Sequence, residues 1–219
     1  GFELRYTTRD GSTWSPQTVD NQNSPGLYAS LALDPTGVPH ISHQPGITRT
    51  LDYAVGDGAG GFDLYTIDNS GDTGYYTSLA MTSDGRPVIA YFDQANFQII
   101  LLTWNTTTST FDPVVLNNDA NISDLDLVLD DMDNPHVAFT DITNNQIRII
   151  TWIDDAGGGS FYTREVDSTP LVADQVAIDI DAGGILHVAY YDASNTALRY
   201  GYGTALDPWT FETVDGDGS

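Results

Sequence analysis

SLAMTSDGRPVIAYFD, residues 78–93, reads as two short strands joined by a tight turn, and it decides the fold because it recurs. Its second half returns as Pro39-His40-Ile41-Ser42, Pro87-Val88-Ile89-Ala90, Pro135-His136-Val137-Ala138 and Leu186-His187-Val188-Ala189, at steps of 48, 48 and 51 residues. A second marker is an aromatic residue followed, five positions on, by an aliphatic residue and then Asp or Asn. It occurs at Trp14/Val19/Asp20, Phe62/Ile67/Asp68, Phe111/Leu116/Asn117, Phe161/Val166/Asp167 and Trp209/Val214/Asp215. Two independent markers with one period establish an internal repeat.

Each period divides into four strands. In one copy the spacing predicts strands over 29–33, 40–43, 51–55 and 62–67, rich in β-branched and aromatic residues and bounded by Gly, Pro, Asp and Asn. No stretch sustains a helical apolar period. Connections within a unit are short; the return to the next unit is longer and polar, as at Asn69-Ser70-Gly71-Asp72-Thr73-Gly74. A four-stranded meander with a longer return is a propeller blade. The expectation is an all-β fold: a single β-propeller domain over 1–219 with about five antiparallel blades, at 1–20 (half-present), 28–68, 76–117, 125–167 and 175–215. The two strands lacking from the first blade are expected from a longer chain or from a second chain. A ring is the favoured closure, because an open stack leaves bare edges.

Composition narrows the partners. The 219 residues are 40% hydrophobic, enough for a core. There is no run of about 18 apolar residues, so no membrane insertion is expected. Lys+Arg is 7, Asp+Glu is 31 and the net charge is −24; lysine is absent, and only Glu3, Glu165 and Glu212 are glutamates. Such a surface repels phosphate backbones, so nucleic acid is excluded as a natural partner. Halophilic surroundings would screen the self-repulsion; the use of Asp in turns accounts for the same composition in another way. With no cysteine, disulfides, thiol nucleophiles and Cys-bound zinc are excluded.

The phrase from Thr77 to Asp93 resembles a repeat of bacterial secreted and surface proteins, which runs roughly "SLALDxxGxPHIAYYD" and then "LxYAxxxGxxWxxxxVD". The second half matches Leu4-Arg5-Tyr6, Gly11, Trp14 and Val19-Asp20. The resemblance covers nearly the whole chain. It implies a propeller in an extracellular or cell-surface setting, and it carries no catalytic residues.

Candidate chemistry is sparse. His40, His136 and His187 share one repeat position, which favours local bonding over a convergent site. His43 differs: its counterparts are Tyr91, Phe139 and Tyr190, so it is the weak catalytic candidate and a ligand-binding candidate. Trp104 and Trp152 hold equivalent strand-end places where other units have Gly56 and Gly203, and an aromatic plane there suits the C–H face of a sugar. Trp14 and Trp209 share a slot with three phenylalanines and are expected in the core. No cofactor is required. Ca2+ is the one ion suggested, at Asp131 and Asp133 and at Asp215 and Asp217, where hard oxygen ligands cluster.

These residues point to a binding or adhesion module for a glycan or a surface protein, leaning away from an enzyme. The alternatives are a polysaccharide hydrolase or lyase with a channel-face site using His43 and channel aspartates, and a structural spacer of a larger surface protein. If the acidic surface is a salt adaptation, the melting temperature rises between low and molar salt; a flat response in thermal melts would leave turn chemistry as the sole reason for the aspartates.

Overall fold

The chain is described by a computed structural model over residues 2–153, 158–167 and 173–216. Among them are 18 strands and no helix. The first sheet has two strands, β1 (Leu4–Asp10) and β2 (Thr13–Asp20). Four four-stranded sheets follow. The second is β3 (Leu27–Leu33), β4 (Pro39–Gln44), β5 (Leu51–Gly56) and β6 (Phe62–Asp68). The third is β7 (Tyr75–Met81), β8 (Pro87–Asp93), β9 (Gln98–Asn105) and β10 (Thr110–Asn117). The fourth is β11 (Ile122–Leu129), β12 (Pro135–Asp141), β13 (Gln146–Ile153) and β14 (Ser160–Asp167). The fifth is β15 (Ala173–Ile180), β16 (Leu186–Asp192), β17 (Ala197–Gly203) and β18 (Thr210–Asp215). Every sheet is an antiparallel meander in chain order, and the inner strands β3, β7, β11 and β15 lie side by side. These are β-propeller blades, about four and a half of them.

Short side chains shape the turns. Asp34 Oδ1 accepts the amides of Thr36 and Val38, Asp130 Oδ1 those of Met132 and Asn134, and Asp181 Oδ1 those of Gly183 and Ile185. In the third sheet the Thr82 hydroxyl takes the Arg86 amide in the same turn. At the next turn Asp93, Asp141 and Asp192 each clamp an asparagine three residues on, through its amide at 3.0–3.1 Å and its side chain at 2.7–2.8 Å. Aspartate reaches its own backbone two to four residues ahead, which is why it fills these corners.

The core lies between sheets. Leu51 and Tyr53 of the second sheet pack with Leu79, Ile89 and Leu102 of the third. Val88, Ala90 and Phe92 pack with Leu127, Val137 and Phe139 of the fourth, and Ala138 and Ile149 with Ile178, Val188 and Tyr190 of the fifth. The inner strands are also stitched across the gap. Ser30 Oγ accepts the Leu79 amide at 3.0 Å, Ser78 Oγ accepts that of Leu127 at 3.1 Å, and Asp126 Oδ2 accepts that of Ile178 at 3.0 Å. Asp124 Oδ2 accepts the Val176 amide at 3.0 Å. Burial pushes the Asp124 carboxyl up to about 6, against the pull of the Val176 and Leu125 amides and with help from Asp126 and Asp174.

The two end faces stay open. Leu31 is 53% exposed, whereas Leu79 at the same repeat position is 6% exposed and Leu127 7%. Among the described residues the first sheet has no inner strands to cover it. At the other end Val214 is 58% exposed, whereas its counterpart Val166 is 9% exposed. These strands alone leave both faces uncovered among the described residues. Trp14 is a correction: it is 60% exposed rather than core. Its slot packs against the preceding sheet, as Phe62, Phe111, Phe161 and Trp209 do, and among the described residues no sheet lies against that face of the first.

Two outcomes follow. Leu79→Ala should cost about 2–5 kcal/mol, as buried leucine truncations do, whereas Leu31→Ala at the same repeat position should cost less than about 1 kcal/mol in denaturant melts. The second concerns pH. The folded carboxyl of Asp124 binds its proton up to about 6, above the unfolded value near 3.9. Its stability contribution is therefore complete below about pH 4 and is lost as pH rises through about 6. Asp124→Asn keeps an acceptor for Val176, so it should raise the melting temperature at pH 8 and leave it unchanged near pH 3.5. An equal gain at both pH values would contradict the assignment.

Candidate functional site

Where the second and third sheets splay apart they leave a pocket of about 450 Å³. Its walls are His40 of β4, Tyr53 of β5, Tyr65 of β6, Pro87 of β8, Trp104 of β9 and Phe111 of β10. Cross-strand pairing sets Trp104 opposite Phe111, with ring centroids 5.1 Å apart at 73°. Tyr53 meets Phe111 edge-on at 5.6 Å. The same indole lines a second, smaller cavity of about 230 Å³ with Arg86, Met132 and Asp133, so it forms part of the wall of two adjoining cavities.

The polar groups of the larger pocket are few and placed. His40 Nδ1 is hydrogen-bonded to the Tyr53 hydroxyl. His40 Nε2 is buried without a hydrogen bond, 3.8 Å from Asp34 Oδ2. Burial pulls the imidazole below its usual value, opposed by Asp34, and burial pushes the Tyr53 hydroxyl far up. Both are neutral at pH 7. The arrangement recurs as Asp130–His136–Thr151 and Asp181–His187–Tyr200, with Nδ1 contacts of 2.5 Å in each. An aromatic-lined cleft with a few oriented polar groups is the usual form of a small-ligand site.

A second feature sits at the inner-strand ends. Tyr28, Tyr75 and Tyr76 form an aromatic cluster with centroids 4.9–6.1 Å apart. Asp124 and Asp174 are close enough to Tyr76 to push its hydroxyl up further, after burial and Tyr28.

The residues singled out from sequence fall in different places. Trp104 lines the pocket. Trp152 pairs with Phe161 at 4.9 Å and lies on the Gly159 backbone, where an added Cβ would sit 2.5 Å from its ring. His43 is 1% exposed, between the first and second sheets, with Nε2 4.0 Å from Asp20 Oδ2. Of the suggested calcium ligands, Asp133 spends both oxygens on Ser83, taking its amide and its hydroxyl at 2.7 Å each. Asp131 and Asp215 are exposed, and Asp217 lies outside the described residues. The group of three His or carboxylate ligand atoms found within 4.8 Å of one another, among the described residues, is instead Asp20, His43 and Asp52. Sequence reasoning missed Tyr53, Tyr65 and Asp124. No motif marks the first two, because a pocket at an inter-sheet gap depends on how far the sheets splay.

The chain matches no protein-family model and no curated protein sequence. Solved structures do match. AofleA from Arthrobotrys oligospora superposes with a TM-score of 0.65 at 12% identity, covering 98% of this chain and 65% of its own. Aleuria aurantia lectin, solved as its N224Q mutant with α-methyl-L-fucoside, gives 0.64 at 12% identity, covering 97% and 70%. A family-43 β-1,3-galactosidase with galactodeoxynojirimycin gives 0.57 at 9% identity, covering 88% and 78%. The chain thus spans about two thirds of AofleA's length. At these identities the likeness is one of fold, and the fold it establishes is the β-propeller.

Proposed function

We propose that this chain is a non-enzymatic glycan-binding module acting at or outside the cell surface, taking a sugar ring into the pocket between the second and third sheets. The observation that carries the reading is the pocket itself: about 450 Å³, walled by Tyr53, Tyr65, Trp104 and Phe111. A pyranose offers an apolar C–H face for Trp104 and hydroxyls for the Tyr65 phenol. The lectin among the similar structures, solved with a fucoside, supports a sugar as ligand. A pure spacer has no use for such a pocket.

A channel-face hydrolase is the second reading, and one observation favours it. Asp124, held protonated up to about 6, lies near Asp126 and Asp174, and glycoside hydrolysis needs one protonated and one ionised carboxyl. His43 contributes nothing to it from its buried place between the first two sheets.

A glycan array, run with and without Ca2+ and followed by calorimetry on the best hit, separates these. Trp104→Ala should weaken binding at least about tenfold, or about 1.4 kcal/mol, while Trp152→Ala changes it less than about twofold. Unchanged affinity in Trp104→Ala would remove the pocket from the account. A blank array with turnover of a polysaccharide would put the channel carboxylates first.

A further inference from the structure

At the outer corner of each inter-sheet gap the repeat brings together three positions. One is the Asp or Asn ending the previous sheet's last strand. The second is the side chain near the end of the second strand, and the third is its cross-strand partner in the third strand. In the fifth sheet these are Asp167, Tyr190 and Arg199: the tyrosine hydroxyl donates to Asp167, and Arg199 Nη1 lies 3.3 Å from Asp167 Oδ2. In the third sheet they are Asp68, Tyr91 and Ile100, with the hydroxyl 2.6 Å from Asp68 Oδ2. In the fourth they are Asn117, Phe139 and Arg148, and the arginine pairs with Asp141 at 2.9 Å. In the third and fifth sheets the corner carboxylate receives a tyrosine hydroxyl, and in the fourth a neutral asparagine takes its place.

The corner between the first and second sheets breaks this rule. Its members are Asp20, His43 and Asp52. A carboxylate stands where the fourth and fifth sheets have arginine, and an imidazole stands where they have an aromatic ring. The corner holds two carboxylates and no cationic side chain. Asp20 Oδ1 accepts the Gln22 amide and Asp52 Oδ1 the Thr50 hydroxyl, each at 2.8 Å. His43 Nε2 lies 4.0 Å from Asp20 Oδ2, and one ligand atom from each of the three side chains lies within 4.8 Å of the others. Asp20 is buried, Asp52 half-buried and His43 fully buried. Two like charges drawn together out of water are costly without a counter-charge.

We propose that this corner binds one divalent transition-metal ion of the zinc type, which joins Asp20 of the first sheet to His43 and Asp52 of the second. The donor set, one imidazole nitrogen and two carboxylate oxygens, suits Zn2+ at about 2.0–2.2 Å. It suits Ca2+ poorly, since that ion takes six to eight oxygens. Coordination through Nε2 places the ring proton on Nδ1, where it meets the Gly26 N–H that now donates to that nitrogen at 3.4 Å, so the Gly26 amide must turn away when the ion binds. The gain is structural. A two-stranded sheet is marginal by itself, and the first sheet otherwise rests on Leu4, Tyr6 and Val19 against Ile41, Ala54 and Phe62.

The test uses the full chain after treatment with a chelator. Calorimetry with Zn2+ should give one site, and saturating Zn2+ should raise the melting temperature and shift the Gly26 amide resonance. His43→Tyr restores the side chain that the third and fifth sheets carry, with a hydroxyl able to reach Asp20. It should fold and melt normally in chelator yet lose binding at least about tenfold. Asp52→Asn keeps an acceptor for Thr50 and should lose affinity likewise. No Zn2+ site in the parent, the parent's affinity kept in both variants, or Ca2+ binding as tightly as Zn2+ would overturn the assignment.

Discussion

An inner strand of a blade is a sheet edge, and every second backbone N–H along it has no ladder partner. The whole stack depends on satisfying those groups. Here the acceptors come from the neighbouring blade: Ser30 serves Leu79, Ser78 serves Leu127, and Asp126 serves Ile178. The bond ties adjacent blades at the axis, where little apolar area is available, while the clusters around Tyr91, Phe139 and Tyr190 do so farther out. One sheet alone could bury neither face nor edge. Stability is therefore a property of neighbours, as in other repeat proteins. The exposure of Leu31 and Val214 shows what a blade face looks like where no described strand covers it.

A repeat also provides its own controls. Four copies of a corner or a turn, and five of the aromatic slot, show which residue the fold demands there. Departures from that demand are where chemistry enters. Val88 stands in place of the histidine in the third sheet, so the polar triad of the pocket belongs to one wall only, His40 with Tyr53, and Trp104 faces it from the other. Asp52 in place of arginine is a second departure. Neither is marked by a motif, and both are visible once the copies are aligned.

That explains what could be read from the sequence. The blade, its four strands and the period follow from two markers and from turn residues whose preferences are local. The two-stranded first sheet also follows, because the first 20 residues hold one copy of the second half-motif. Trp14 did not follow, because slot identity says which face a side chain takes and nothing about whether that face is covered. The pocket beside Trp104 was half legible: the tryptophan stood out against glycine in other copies, while Tyr53 and Tyr65 looked like ordinary strand residues. Asp133, read as an oxygen ligand, is drawn instead to Ser83, fifty residues away in sequence. That contact depends on the stacking of blades, which local pattern does not contain.

The excess of Asp over Glu has the same root. Asp34, Asp57, Asp130 and Asp181 each accept amides two and four residues ahead in a turn. Asp93, Asp141 and Asp192 clamp asparagines, and Asp124 and Asp126 serve the inner strands. In every one of these places the acceptor must sit one carbon from Cβ; glutamate's extra methylene would overshoot the amide. The repeat multiplies these demands: aspartate fills the first turn three times and the asparagine clamp three times. Much of the acidity is therefore written into the scaffold before any pressure on the surface acts. With 7 arginines against 31 acids, few cations remain to neutralise the buried carboxylates. The fold answers with tyrosine hydroxyls, backbone amides and, at Asp124, a proton held to about 6. The corner of Asp20 and Asp52 has none of the tyrosine or arginine partners that serve its counterparts.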